Sequence, residues 1–475
     1  MKKPQFHTLV YFVFLIVLSF LAFYRLGDFS LRKWDESRNA TNALEMYYNH
    51  NYVVRYFMKM PDMYETKPPL LTWLQVLSFK IFGVSELSLR IPSALALIAT
   101  CLLICWFVRK KTNNIFAGIF SGLILATSTA YITFHGARTG DHESLLVFFT
   151  TGLIISFYLY LNDANRKYIL IAMLCLIGGT LTKSIAPLLF ILGLLLFTAL
   201  SRNLKKVLID KYFWISVSIY IVVISGYYIS REMQNPGYCQ AVWLQELGPR
   251  YVMTNENLSQ SGFFYYIIQL FKGQFSYWPL LFVILVFPAL RFTKTATLTK
   301  FIMLQIVVFL IIISIGNKNL WYDYPLAPLF AIVCGLGISA LLLNSKESWK
   351  PLIISMMFLT MIYPVSIVVE KINSQTINDE AVLQYPDFVR SLRDTELAEL
   401  HIKVMDHNQT PNFRFYEILS NKIWKINVDF KVDEKDIKEG DYIMTSFKEL
   451  ESILKPKFTC QEMKTYRDCV LVRVE

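Results

Sequence analysis

The ionisable side chains of this sequence gather in a few polar interruptions between long apolar runs. The longest interruption in the first half begins Trp34-Asp35-Glu36-Ser37-Arg38 and closes with Tyr64-Glu65-Thr66-Lys67-Pro68-Pro69. Asp35 and Glu36 read either as the acidic start of a helix, or as carboxylates that take a proton from an attacking hydroxyl or phosphate or hold a metal ion. The two prolines after Lys67 remove two backbone donors and bias the lysine towards extended backbone, which fixes where its ammonium points. A cation fixed there suits a lipid phosphate; otherwise it is a lysine that snorkels and marks the interface. Glu65 stands two residues before it, and Arg38 follows the acid pair in the first polar segment.

A second interruption reads His135-Gly136-Ala137-Arg138-Thr139-Gly140-Asp141-His142-Glu143. Asp141 could cap the following helix, but capping gives no reason for Arg138 and His135 to collect at the same boundary. Lys183, in Leu181-Thr182-Lys183-Ser184, is the basic residue of what must be a very tight turn, and an anionic ligand is the simplest reason for it. Lys318 precedes Trp321-Tyr322-Asp323-Tyr324-Pro325, a string that suits either an aromatic belt or the apolar faces of a sugar ring. Arg250, in Gln245-Glu246-Leu247-Gly248-Pro249-Arg250, is a further candidate for phosphate binding.

The elements that position these residues are membrane helices. The chain has 475 residues, 54% hydrophobic and 17% charged, with a mean hydropathy of +0.40. That is too apolar for a soluble fold and predicts a polytopic α-helical membrane protein. Met1-Lys2-Lys3 and the apolar run 9–24 predict an uncleaved first helix. A loop at 27–89 follows; within it, 36–49 has helical composition and the thirteen residues 70–82 suit an interfacial or re-entrant helix. Further spans are expected near 90–108, 115–134, 144–161, 168–182, 185–200, 212–229, 277–290, 301–315, 325–343 and 350–369. With the N-terminus inside, every inner connection is basic, which satisfies the positive-inside pattern. The net charge of +11 is then orientation and not a nucleic-acid footprint. All the residues singled out above fall on the opposite, outer side.

Residues 1–369 therefore form a transmembrane domain that includes the loop 27–89. Residues 370–475 are polar and read as a small outer α/β domain, with strands near 401–405 and 442–444 and a final hairpin over 458–474. Cys460 and Cys469 flank a turn there and could form a disulfide in an oxidising compartment.

Several ordered pieces resemble a known family: Trp-Asp-Glu after the first helix, Tyr-x-x-Lys-Pro-Pro-Leu, Phe-Gly-Val-x-Glu-x-x-x-Arg-x-Pro-Ser-Ala at 82–94, Ala-Arg-x-x-x-Asp, Leu-Thr-Lys at 181–183 and Trp-Tyr-x-Tyr-Pro-Leu-x-Pro at 321–328. Together they resemble the ArnT-like branch of the dolichyl-phosphate-mannose-protein mannosyltransferase superfamily, over roughly residues 1–345. The resemblance implies a GT-C fold with about 11–13 transmembrane helices and an inverting, polyprenyl-phosphate-dependent glycosyltransferase of the bacterial inner membrane, with its active site and C-terminal domain facing the periplasm. It implies Asp35 as general base, Asp141 as second acid, and Lys67 on the donor phosphate. Arg138, Lys183 and Arg250 would join Lys67 there, and Glu36, Arg38, Glu65, Lys318, Trp321 and Tyr322 would line the substrate. The family's glutamate directly before the Lys-Pro-Pro lysine is replaced by Thr66, and its glycine after Leu-Thr-Lys by Ser184.

The expected partners are a polyprenyl-phosphate-linked sugar, an acceptor that is lipid A, a glycan or a protein, and the bilayer itself. No cofactor is required; a divalent cation is compatible with the carboxylates, but no metal-ligand spacing demands one. A transporter or flippase is the alternative. It should bury ionisable groups near mid-membrane in paired halves, whereas here the span centres are nearly free of charge and no halves repeat. An assembly protein using its outer domain is a third reading, and it leaves the first loop unexplained.

Overall fold

The structure is a computed structural model that describes residues 3–32, 34–163, 165–248, 262–275, 277–374, 384–393, 395–405, 413–430 and 432–475. Six of its helices are long and apolar enough to cross a membrane, and several shorter apolar helices stand beside them. The first helix, α1 (Lys3–Phe23), leads into the first long loop. There α2 (Asp35–Asn49) and α3 (Leu70–Phe82) pack on each other. The thirteen-residue apolar run thus forms a helix with the expected bounds. It stays half-embedded, because its buried residues Leu71, Thr72, Gln75, Val76, Ser78 and Phe79 fill one face only.

The bundle continues with α4 (Glu86–Thr112), α5 (Ile115–Ala126), the short α6 (Thr129–Thr133), α7 (Glu143–Asp163) and α8 (Lys167–Lys183). Ser85 caps α4 through a reciprocal capping box with Ser88, which satisfies two otherwise orphaned N–H groups. A 3-10 turn and α9 (Ile191–Leu200), α10 (Leu204–Ile209) and α11 (Lys211–Gln234) come next. After them stand α12 (Trp278–Arg291), α13 (Thr293–Ile315) and α14 (Ala327–Asn344). Two further helices, Lys350–Leu359 and Ile362–Ser374, close the bundle.

The expected span 115–134 is not one helix. The Thr127 and Ser128 hydroxyls donate back to the carbonyls of Leu123 and Ile124 at 2.7 and 2.9 Å, a local competition that bends or ends helices. The chain then turns sharply. Ala137 N–H donates to Tyr131 O at 2.9 Å, and a Cβ on Gly136 would fall 1.7 Å from that same oxygen, so only glycine fits. The result is a folded-back segment, largely buried from residue 126 to 142, and it carries His135 and Asp141.

The C-terminal domain is a five-stranded mixed sheet of β3 (Ile402–Val404), β4 (Val428–Phe430), β5 (Tyr442–Ser446), β6 (Cys460–Tyr466) and β7 (Cys469–Val474), ordered β4-β3-β5-β7-β6. β1 (Tyr56–Phe57) and β2 (Met60–Pro61) form a two-stranded hairpin in the first loop. The register of the final hairpin rules out a disulfide between Cys460 and Cys469. Cys460 lies opposite Val474 and Cys469 opposite Tyr466, so the two cysteines are separated by several residues along the strands, about 17 Å at 3.3 Å per residue.

The domain is not an appendage. Phe388, Val389, Phe413, Phe415 and Tyr416 share one apolar core with Leu44, Val76 and Phe79 of α2 and α3. Tyr416 Oη accepts from Leu31 N–H at 2.8 Å and donates to Glu86 Oε1 at 3.0 Å, while Arg390 pairs with the same carboxylate. The sheet domain is thereby a roof over the loop that holds Asp35.

Candidate active site

α2 presents Asp35 in its first turn with 47% of the side chain exposed. Asp141, just before α7, is buried. Between them lies His135, held in left-handed backbone at φ 48° and stacked on Trp321 with ring centroids 4.0 Å apart and planes 21° from parallel. Its Nδ1 is 3.7 Å from Asp35 Oδ2 and 3.4 Å from Asp141 Oδ2. Two acids from segments a hundred residues apart in sequence thus meet at one imidazole. Asn39 Nδ2 donates to Gly140 O and Asp141 Oδ1 at 3.2 and 3.4 Å.

Burial, with the neighbouring carboxylates of Glu143, Glu36 and Asp35, pushes Asp141 well above the usual carboxylate range. Burial also lowers His135, against the opposing pull of Glu143 and Asp35. A carboxyl group raised in this way stabilises the fold only while protonated, and that contribution is lost as pH rises through its folded pKa. Asp141→Asn is therefore expected to raise the thermal midpoint at alkaline pH. The gain should shrink as pH falls and the wild-type group takes up its own proton. Melting curves followed by tryptophan fluorescence across pH check this, and a gain that grows towards acid would contradict the burial argument.

Beside this pair lies a second centre. Lys67 Nζ contacts Glu65 Oε1 at 2.8 Å, and Arg55 Nη2 approaches the same oxygen at 3.7 Å. Burial opposes the charge on both partners. Lys67, Arg55 and His142 nevertheless hold Glu65 well below the usual range, and Glu65, Glu246 and Asp35 hold Lys67 well above its own. Arg55 also clamps the carbonyls of Glu65 and Lys67, fixing the backbone before Pro68 and Pro69. Lys183, buried at the end of α8, contacts Glu143 Oε1 at 2.5 Å and lies 5.2 Å from the centroid of the Tyr322 ring. A small cavity is lined by Lys183, Glu246, Asn317, Trp321, Tyr322 and Leu146. Trp321 thus faces the acid cluster through His135 and the cavity through its own lining surface.

Other expected site residues are placed differently. Glu36, expected to line the substrate, is engaged inside the fold: its buried carboxylate accepts from Arg90 Nε and Nη2 at 2.6 and 3.0 Å and from the N–H groups of Arg32 and Gly140, both at 2.8 Å. Arg90 also donates to the carbonyls of Leu26, Phe29 and Ser30. One ion pair thus ties the exit of α1, the start of α2 and the Asp141 loop together. Arg90→Met would strand a buried carboxylate and is expected to cost about 3–5 kcal/mol of stability, seen as a large drop in the thermal midpoint of the detergent-solubilised protein. An unchanged midpoint would refute this strut.

Arg138, expected on the donor phosphate, is likewise engaged within the protein. It donates to the carbonyls of Leu21, Ala22 and Tyr24, the orphaned acceptors at the end of α1. Arg38 forms a bidentate pair with Asp62 at 3.0 and 2.6 Å and packs over the rings of Phe57 and Tyr64, so it braces the loop. Lys318 lies on the 316–325 turn, 3.5 Å from Gly316 O. Arg250 lies outside the described residues. Sequence reasoning missed Arg55, Arg90, Glu143 and Glu246 as partners; the Arg-x-Pro-Ser-Ala spacing held the one signal, for Arg90. Among the described residues, no group of three or more His, Cys, Asp or Glu is arranged to hold a metal ion.

The model of the dolichyl-phosphate-mannose-protein mannosyltransferase family matches residues 66–229, a stretch that runs from Thr66 into α11 and carries Lys67, Asp141 and Lys183. The whole fold is similar to that of ArnT from Cupriavidus metallidurans bound to undecaprenyl phosphate, with a TM-score of 0.73, 16% identity and 98% of each chain covered. The chain has the ArnT-like GT-C fold. In sequence the chain is 28% identical to an uncharacterised Aquifex aeolicus protein over 73% of its own length and 66% of the relative's. It is 25% identical to the undecaprenyl phosphate-alpha-4-amino-4-deoxy-L-arabinose arabinosyl transferase of an Enterobacter species over 37% and 32%. The matched stretches therefore span between a third and two thirds of these curated relatives.

Proposed function

We propose that this multi-pass membrane protein is a glycosyltransferase that moves a sugar from a polyprenyl-phosphate carrier to an acceptor at the outer face of the bacterial inner membrane, where lipid A, a glycan or a protein is the acceptor. The observation that carries the reading is the meeting of Asp35 and Asp141 at His135 Nδ1, in the field of Lys67. A general base and a fixed cation for a leaving phosphate thus stand within one site.

In the proposed reaction Asp35, the exposed acid, takes the proton of the acceptor hydroxyl or phosphate as its oxygen attacks the anomeric carbon. The bond from that carbon to the carrier phosphate breaks, and its electron pair stays on the phosphate oxygen. Lys67, with Lys183 at the cavity wall, stabilises that developing charge. A single displacement inverts the anomeric centre. Trp321 and Tyr322 offer aromatic faces to the sugar, and the positive-inside pattern supports a site on the periplasmic side.

The test is incubation of the purified protein with a panel of polyprenyl-phosphate sugars and envelope acceptors, with the anomeric configuration of the product read by NMR. Transfer with inversion is expected for one donor and acceptor pair. Substrate flux across proteoliposomes in the absence of any lipid-linked sugar would instead favour a transporter.

A further inference from the structure

The end of the bundle opposite the acid cluster holds a second constellation. α7 and α8 run away from and back to the site, since Glu143 and Lys183 pair at one end while Asp163 and Lys167 mark the other. At that far end an open recess is lined by Tyr160, Arg166, Lys205, Lys206, Asp210 and Lys211. All four cations are exposed. The lining carboxylate, Asp210, is already engaged: it accepts from Tyr160 Oη at 2.9 Å and caps α11 through Tyr212 N–H at 3.0 Å. Arg166 reaches it only at 4.0 Å, and Lys206 Nζ donates to Leu161 O at 3.2 Å. The recess therefore carries a net positive charge.

Its rim is apolar and aromatic. α10 buries Val207 and turns Leu204, Leu208 and Ile209 outwards at 41, 49 and 69% exposure. Trp214 is half exposed and donates from Nε1 to Leu208 O at 2.8 Å. A short helix with exposed leucine and isoleucine, flanked by lysines and an interfacial tryptophan, is built to lie in the headgroup region with its apolar face among acyl chains. A soluble anion would need only the cations; the apolar rim beside them fits a ligand whose charged end continues into hydrocarbon.

We propose that this recess binds the headgroup of an anionic phospholipid of the inner leaflet, with its phosphodiester among Arg166, Lys205, Lys206 and Lys211 and its acyl chains along α10 and Trp214. The site is independent of the transferase reading, because it shares no residue with the acid cluster.

The test uses the full chain purified in neutral detergent and titrated with phosphatidylglycerol or phosphatidylethanolamine, with retained lipid counted by native mass spectrometry. Phosphatidylglycerol is expected to be retained about tenfold more strongly. The combined variant Arg166→Gln, Lys205→Gln, Lys206→Gln, Lys211→Gln should lose that preference, with Lys205→Gln, Lys206→Gln alone as a milder pair. A control removes equal charge from other basic connections at Arg291, Lys294, Lys300 and Lys346, all exposed, and should keep the preference. Equal retention of both lipids, an unaltered preference in both recess variants, or an equal loss in the control would each overturn the proposal. So would displacement of the lipid by millimolar inorganic phosphate, which would identify a free-anion site. Melting curves of each variant separate lost binding from lost fold.

Discussion

Asp35→Asn is expected to lower glycosyl transfer by about 10²- to 10⁴-fold, the contribution of a positioned general base. Asparagine keeps the size of the side chain and its place in the first turn of α2, but it cannot accept the acceptor's proton. The loss should therefore appear in kcat with saturating donor, while retention of the carrier lipid is little changed. Asp35 is half exposed, in contrast to the buried Glu36, so the fold should tolerate the change. Melting temperature and turnover of the same preparation check both halves of the expectation. If the variant turned over at the wild-type rate, the base would have to be sought elsewhere.

Lys67→Met should be nearly as severe, with turnover reduced about 10²- to 10³-fold, as for loss of one group stabilising charge on a reacting oxygen. Methionine preserves the apolar stem and removes the ammonium alone. Glu65 keeps Arg55 at 3.7 Å, and Arg55 still grips the backbone carbonyls of 65 and 67, so the loop ahead of Pro68 retains its anchor. Because the ammonium serves both the bound and the leaving phosphate, carrier binding should weaken together with kcat. Lys67→Arg should recover part of each. Near-wild-type transfer by the methionine variant would move the phosphate role to Lys183.

Both residues were singled out before any coordinates, and for a physical reason. Two prolines after a lysine constrain its backbone locally, and an acid at the first turn of a helix is a local pattern as well. Arg138 and Glu36, expected at the substrate, are engaged within the protein for the complementary reason. A buried arginine among charged neighbours looks like a ligand in sequence, yet whether it meets a phosphate or the carbonyls at the end of α1 depends on which helix end lies against it. Likewise Glu36 is adjacent to Asp35 in the chain, but one helical step turns it inwards to Arg90. The break at Thr127 and Ser128 was missed because hydropathy averages over hydroxyls that bond back to their own helix.

The sequence by itself determined that the chain spans a membrane many times, where its polar loops and its re-entering helix begin, and that its ionisable groups lie at the bundle ends, since each follows from the cost of placing charge or open backbone in hydrocarbon. The tertiary structure alone decided which of those groups face one another: that a glycine-dependent turn sets His135 between Asp35 and Asp141, that Arg90 ties three segments beneath them, and that the C-terminal sheet roofs the loop. Pairing of charges across a hundred residues depends on packing and on desolvated distances of a few ångströms, and no local pattern in the chain encodes those.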